Sequence, residues 1–194
     1  MTDATPQPTN ILRGHRAQIH AACFIRDNGR LVTGDAEGYV VVWDLAIMRP
    51  AAVWRAHKEA LLGIKGWGND KLITYGQVFP SRRSSRLCTN PLSRHGRDHK
   101  LIVWKLDTES ELALSKAPPL EEVTQLRPQP WVLHVLNVNT MNFCAFAACP
   151  EISTISEIGQ TAEILVAVPN ALGMEAVSSL PDDGTKHRAN GPSD

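Results

Sequence analysis

The stretch RLVTGDAEGYVVVWD, residues 30–44, carries the reading of the fold. Two runs rich in β-branched residues, Arg30-Leu31-Val32-Thr33-Gly34 and Tyr39-Val40-Val41-Val42, flank a break made of Asp35 to Gly38. Gly and Asp between such runs are hairpin chemistry, so the segment reads as strand, turn, strand. Trp43-Asp44 closes it, and Gly14-His15 stands upstream, the histidine 28 positions before Trp43.

Working outward, the pattern returns. Ala56-His57 and Asp70-Lys71-Leu72-Ile73-Thr74 begin a second copy, which breaks off and resumes at His95-Gly96-Arg97-Asp98-His99-Lys100-Leu101-Ile102-Val103-Trp104. With Tyr75 to Arg94 set aside, Leu72 to Trp104 lies over Leu31 to Trp43 without a gap. His15 to His57 then gives a period of 42 residues and Trp43 to Trp104 a period of 41. Two landmarks agreeing on one period indicate an internal repeat. A third, weaker copy follows: Met141 to Phe146 parallels Ile19 to Phe24, Ile164 to Val168 parallels the second strand, and Glu175-Ala176-Val177 begins the third.

A period near 40 with four short strands, Gly-His at the start and Trp-Asp after the third strand is the sequence sign of a β-propeller blade. The fold class expected is therefore all-β, a partial WD-repeat β-propeller of about two to three blades. Blade 1 is expected at about 11–53 and blade 2 at about 54–114 with an insertion at 75–94. An irregular connector with Pro118, Pro119, Pro128 and Pro130 spans about 108–130, and a degenerate blade 3 occupies about 131–180. Residues 1–10 and 181–194 are expected to be disordered.

Blades of this kind hold a histidine, a Ser/Thr of the second strand, a turn aspartate and the tryptophan in one hydrogen-bonded chain. An imidazole can accept at one nitrogen and donate at the other, a hydroxyl relays, and an indole N–H only donates. Copy two assigns His57, Thr74, Asp98 and Trp104 to this chain. Copy one assigns His15, Thr33 and Trp43, with Glu37 in the aspartate's place and Asp35 nearby. The competing view is a catalytic His/Asp/Ser set, but these residues recur once per blade and no nucleophile elbow accompanies them. His95 and His99 sit in an expected turn without a third ligand, so no metal is expected, and no cofactor motif is present. Trp54, Trp67 and Trp131 are expected to pack between blades rather than to anchor partners. The cysteines Cys23, Cys88, Cys144 and Cys149 form no CxxC pair and are expected as small core hydrophobes.

Charge narrows the function classes. Twenty Lys and Arg balance twenty Asp and Glu over 194 residues, so no basic patch argues for nucleic-acid binding by phosphate attraction. The first ten residues lack the apolar core of a secretory signal, and the apolar run Phe143 to Cys149 is far too short to span a bilayer. The expectation is a soluble nuclear or cytoplasmic protein without a membrane partner.

Tyr75 to Arg94, YGQVFPSRRSSRLCTNPLSR, shows neither strand alternation nor helix periodicity. Back-translation permits a splice donor over Thr74 to Gly76, a branch sequence at Thr89-Asn90 and an acceptor within Arg94, leaving Thr74 joined in frame to His95. The segment is read as a retained short intron, with an extruded loop or a kinase or import signal at Arg82-Arg83-Ser84-Ser85 as alternatives.

Leu12 to Asp44, Arg55 to Leu106 without the insertion, Trp131 to Pro150 (WVLHVLNVNTMNFCAFAACP) and Ile164 to Val177 (ILVAVPNALGMEAV) together resemble the fungal ASTRA-associated protein 1 family of WD-repeat proteins. The resemblance implies a seven-bladed propeller serving as a non-catalytic subunit of the nuclear ASTRA assembly, which is associated with chromatin remodelling. That assembly includes a very large kinase-like protein and paired AAA+ helicases. With about two to three blades, the chain is expected to be a shortened member. The function expected is an interaction scaffold with protein partners in a multiprotein complex and no enzyme activity. A G-protein-β-like or ubiquitin-ligase adaptor is the alternative, and a propeller-based hydrolase a third reading.

Overall fold

The computed structural model describes residues 7–76, 100–119, 127–138, 146–150 and 164–168, and the backbone of 176–180. Strands β1 (Ile19–Ile25), β2 (Arg30–Asp35), β3 (Tyr39–Asp44) and β4 (Arg49–Arg55) form a four-stranded sheet in that order. Strands β5 (Leu61–Trp67), β6 (Lys71–Gly76), β7 (Lys100–Lys105) and β8 (Trp131–Asn137) repeat it, with helix α1 (Thr108–Ala113) between β7 and β8. A third sheet has β10 (Ile164–Val168) between β9 (Ala147–Pro150) and β11 (Ala176–Leu180). Every pairing is antiparallel. This is a mostly-β partial propeller.

The repetition extends to irregularities. The β1/β2 ladder slips between Ile19 and Ala21, and the β5/β6 ladder slips between Leu61 and Gly63. The β3/β4 register shifts between Val42 and Trp43, as β7/β8 does between Val103 and Trp104. Bulges re-aim strands at defined places, so the same bulges at the same places make the two sheets structural copies.

Alternation decides which neighbour each strand faces. In β3, Val40 and Val42 enter the core shared with the second sheet, whereas Val41 and Trp43 enter a smaller cluster with Val53. In β7, Ile102 and Trp104 face the first sheet, while Leu101 and Val103 join Ala148, Ile164 and Val166 of the third. Central strands covered on both faces read as unbroken apolar runs, as Val40-Val41-Val42 does. At full burial each such side chain contributes roughly 1.5–3 kcal/mol.

Three expectations about boundaries change. Tyr75 and Gly76 belong to β6, paired with Leu101 and Lys100, so the departure from the blade begins after Gly76 and not at Tyr75. Trp131–Asn137 is the fourth strand of the second sheet, not the start of a third blade. The connector therefore lies inside blade 2, between its third and fourth strands, and it contains α1. The reason is that β7 needs an outer partner: Leu101 pairs with Leu136 and Ile102 with Val135, burying what Val53 and Trp54 of β4 bury in the first copy. Residues 77–99 fall outside the described residues, as do Met141 to Cys144, the chain's first six residues and its last fourteen.

The connector straps the first sheet. Ser115 carbonyl oxygen accepts from the Val53 amide at 2.7 Å, continuing the ladder beyond β4, and Gln129 Nε2 donates to the Arg55 carbonyl at 2.8 Å. Glu111, 5% exposed, receives Arg26 Nη1 at 2.5 Å and Arg30 Nε at 3.0 Å. Arg26 also donates to the backbone carbonyls of Asn69 and Leu106, and it does so from a left-handed conformation with φ of 52°. A backbone held in that sparsely populated region needs surroundings that over-determine it, and three acceptors, in the β5–β6 turn, just after β7 and on α1, supply them.

Asp107 caps α1, its side chain accepting from the Ser110 N–H at 2.7 Å. Hydrogen bonds from Ser110, side chain and then backbone, with Lys105 alongside, hold its carboxyl below the usual range, at about 2.

Candidate functional site

The polar residues singled out in the sequence meet in two places, one per sheet. In the first, His15 Nδ1 lies 2.7 Å from Asp35 Oδ2 and Nε2 lies 2.7 Å from Thr33 Oγ1. Trp43 Nε1 donates to Thr33 Oγ1 at 2.8 Å. The carboxylate accepts only, so the imidazole proton sits on Nδ1 and Nε2 takes the threonine proton. Thr33 has an alternative acceptor in the Val41 carbonyl at 3.4 Å, longer and therefore weaker. The run is indole N–H to hydroxyl, hydroxyl to imidazole, imidazole to carboxylate.

Asp35 rather than Glu37 completes this chain. Asp35 ends β2 fully buried, and its other oxygen accepts the Glu37 and Tyr39 amides at 2.9 and 3.0 Å. A carboxylate with three donors satisfies the turn and the histidine together. Glu37, further round the turn, pairs with Arg16 at the surface. The signal was present: a short carboxylate at the last strand position before a Gly turn folds back on the following amides.

In the second sheet, His57 Nε2 lies 2.9 Å from Thr74 Oγ1, and Trp104 Nε1 donates to that hydroxyl at 2.8 Å. Asp98 falls outside the described residues. Gly76 holds the place of Asp35, and a Cβ there would overlap the His57 ring. Where the first sheet inserts a carboxylate between histidine and strand, the second brings the imidazole against the strand itself.

The two loops also interlock. Gly38, with φ of 82°, turns its carbonyl to the amides of Ala56 and His57 at 2.9 and 3.2 Å. A side chain at Gly38 would run into the His57 backbone, so only glycine permits the approach.

His15, Thr33 and Asp35 have the order of a hydrolytic triad, and distance alone does not separate the two uses. Occupancy does. The Thr33 hydroxyl already receives the Trp43 N–H, the residue is 6% exposed, and Trp43 is 2% exposed. A hydroxyl sealed under an indole has no approach for an acyl group.

Of the tryptophans expected between blades, Trp54 and Trp67 are buried, and Trp54 meets Trp104 edge-on with centroids 6.0 Å apart. Trp131 is a correction: it is 73% exposed, standing at the start of the edge strand of the second sheet. Cys23 is half-buried and packs against the core between the first two sheets, whereas Cys149 is exposed and is not a core residue. His95, His99, Cys88 and Cys144 lie outside the described residues. Among the described residues no group of three His, Cys, Asp or Glu is placed to hold a metal ion, and no helix is long and apolar enough to cross a membrane.

No family model matches the chain. It is 50% identical to ASTRA-associated protein 1 of Verticillium alfalfae over 190 residues, covering 97% of this chain and 42% of the relative. It is 50% identical to the protein of that name in Pyricularia oryzae over 182 residues, covering 93% of this chain and 34% of the relative. The Schizosaccharomyces pombe protein of the same name is 29% identical over 94% of this chain. The chain thus spans less than half the length of the relatives it matches. Among solved structures, Saccharomyces cerevisiae Sqt1 superposes with a TM-score of 0.52 at 11% identity, covering 84% of this chain and 32% of that one, a likeness of fold alone. A chain that shares half its residues with the Verticillium and Pyricularia proteins over nearly its whole length, and folds into consecutive blades, belongs to the ASTRA-associated protein 1 family of WD-repeat propellers.

Proposed function

We propose that this chain is a non-catalytic scaffold segment of a nuclear multiprotein assembly of the ASTRA kind, contributing to chromatin remodelling through its protein contacts. The observation that carries the reading is the commitment of its reactive-looking residues to the fold. Both threonine hydroxyls are shared between a histidine and a tryptophan, leaving surface loops and strand edges as the means of action. The partner class comes from the name its relatives carry. Balanced charge argues against direct nucleic-acid binding by phosphate attraction.

Affinity purification of the endogenous product with mass spectrometry tests this. Recovery of the ASTRA subunits in stoichiometric amounts is the expected result. Recovery of a ubiquitin-ligase core or a heterotrimeric G-protein partner in their place would replace the reading with the adaptor alternative.

A further inference from the structure

The connector grips the first sheet through a three-part contact that has the form of a bound peptide. Glu111, 5% exposed, places one carboxylate oxygen on Arg26 at 2.5 Å and the other on Arg30 at 3.0 Å. Three residues on, Leu114 is buried in the cluster that holds Trp54 and Trp104. One residue further, the Ser115 carbonyl takes the Val53 amide on the outer edge of β4. A carboxylate in a two-arginine socket, an apolar anchor and a backbone bond to an edge strand are the elements by which an extended segment is recognised. Arg26 stands in the β1–β2 turn and Arg30 in β2, so the socket is built by the first sheet and only filled by the connector.

The occupant is held at a cost. Helix α1 is six residues long, too short to persist without its contacts, and its Leu112 is 68% exposed. Arg26 reaches the carboxylate from a left-handed backbone. The Trp54 indole N–H, sealed in the same cluster as Leu114, has no acceptor among the described residues. The ion pairs of a buried carboxylate return little beyond the hydration they displace. We propose that Asp107 to Ser115 is a releasable latch, filling in cis a docking site on the first sheet for an extended acidic segment of a partner protein with Glu-x-x-Leu spacing. Release frees Arg26 and Arg30 for the partner's carboxylate, the place of Leu114 for its aliphatic side chain and the Val53 amide for its backbone. The site lies on the outer edge of a sheet that has all four strands, so its availability is set by the latch and not by a neighbouring blade. It deepens the scaffold reading and rests on it.

Two measurements on the full chain test this. Hydrogen exchange compares the Val53 amide, which donates to the latch, with the Val41 and Val42 amides of central strand β3. Val53 is expected to exchange about a hundredfold faster and with little dependence on low urea, as local opening requires. Equal rates with equal urea dependence overturn the proposal, because the latch would then open only when the sheet unfolds. The probe for docking is a synthetic peptide of the chain's own residues 107–119, added to the parent chain and to Glu111→Gln, which weakens the latch and keeps its shape. A tethered segment outcompetes a free one, so the variant should bind the peptide about tenfold more tightly than the parent does. A peptide with Gln in place of the socket glutamate should lose that gain. Binding that is absent from both chains, equal on both, or indifferent to the peptide's glutamate overturns the proposal. If Glu111→Gln does not fold, Leu114→Ala takes its place in the same comparison. Failure of the peptide to dock with the ASTRA subunits still co-purifying would sink this site and spare the scaffold reading.

Discussion

The two four-stranded sheets solve one problem in different ways. Each must bury a histidine, a threonine and a tryptophan beside a turn, and each uses the threonine hydroxyl as the joint. The first sheet finishes the chain with Asp35, which gathers a histidine and two turn amides. The second has Gly76 there, and the imidazole of His57 occupies the space the carboxylate would need. Their surroundings differ as well. Trp104 lies in the core between two sheets against Trp54, while Trp43 belongs to a small cluster. The lesson is that the hydroxyl relay recurs in both copies, while the strand position that holds Asp35 in the first holds a glycine in the second.

The comparison is broken most forcefully at the tryptophans. Trp104→Ala is expected to cost about 3–5 kcal/mol, and Trp43→Ala less, because only the former opens a cavity between two packed sheets. Urea unfolding midpoints compare them, and a Trp104→Ala loss below about 1 kcal/mol would remove the blade assignment. Asp35→Asn keeps the shape but weakens three hydrogen bonds, and about 1.5–3 kcal/mol should be lost. Near-zero loss there would mean that the first network holds through the threonine hydroxyl alone. Gly76→Ala forces a methyl into the His57 ring and should cost about 1–3 kcal/mol; thermal melts showing a gain instead would contradict the close approach.

Two excisions of equal length sharpen the comparison further. Removing 77–96 joins Gly76 to Arg97, and removing 75–94 joins Thr74 to His95. Either leaves a turn as short as the 36–38 turn of the first sheet. Both chains should fold. The second replaces Tyr75, fully buried and edge-on to Phe146, with histidine, and it should be less stable by about 1–3 kcal/mol. If it is the more stable of the two, position 75 is built for His95, and the retained-intron origin of the segment gains its first physical support.

The smallest effect concerns the strap. Asp107→Ala should cost about 1 kcal/mol, the usual worth of an N-cap. Because the folded carboxyl titrates at about 2 instead of 3.8, its contribution is complete above pH 3.8 and disappears as pH falls through 2. Asp107→Asn, which can still cap, should therefore differ from the parent chain in acid titration only below about pH 4.

Much of this was legible beforehand. Period-2 alternation and the spacing of His15, Trp43, His57 and Trp104 give the strands, the repeat and the partners of each threonine, because those are local consequences of pleat and register. Asp35 was misjudged for Glu37 because the turn offers two carboxylates two residues apart, and only the path of the backbone decides which one faces the imidazole. Trp131–Asn137 was placed one blade too late because the connector before it is long, and a strand's pattern says nothing about which edge it will join. The clamp of Glu111 on Arg26 and Arg30 joins residues more than eighty positions apart in sequence and has no local signature.

By itself, then, the amino-acid order settled the strand pattern, the copy number of the motif and the family, since alternation and spacing act over a few residues. Tertiary structure alone decided which strand closes the second sheet and how the connector straps the first. Those outcomes depend on surfaces that meet only after the chain has folded.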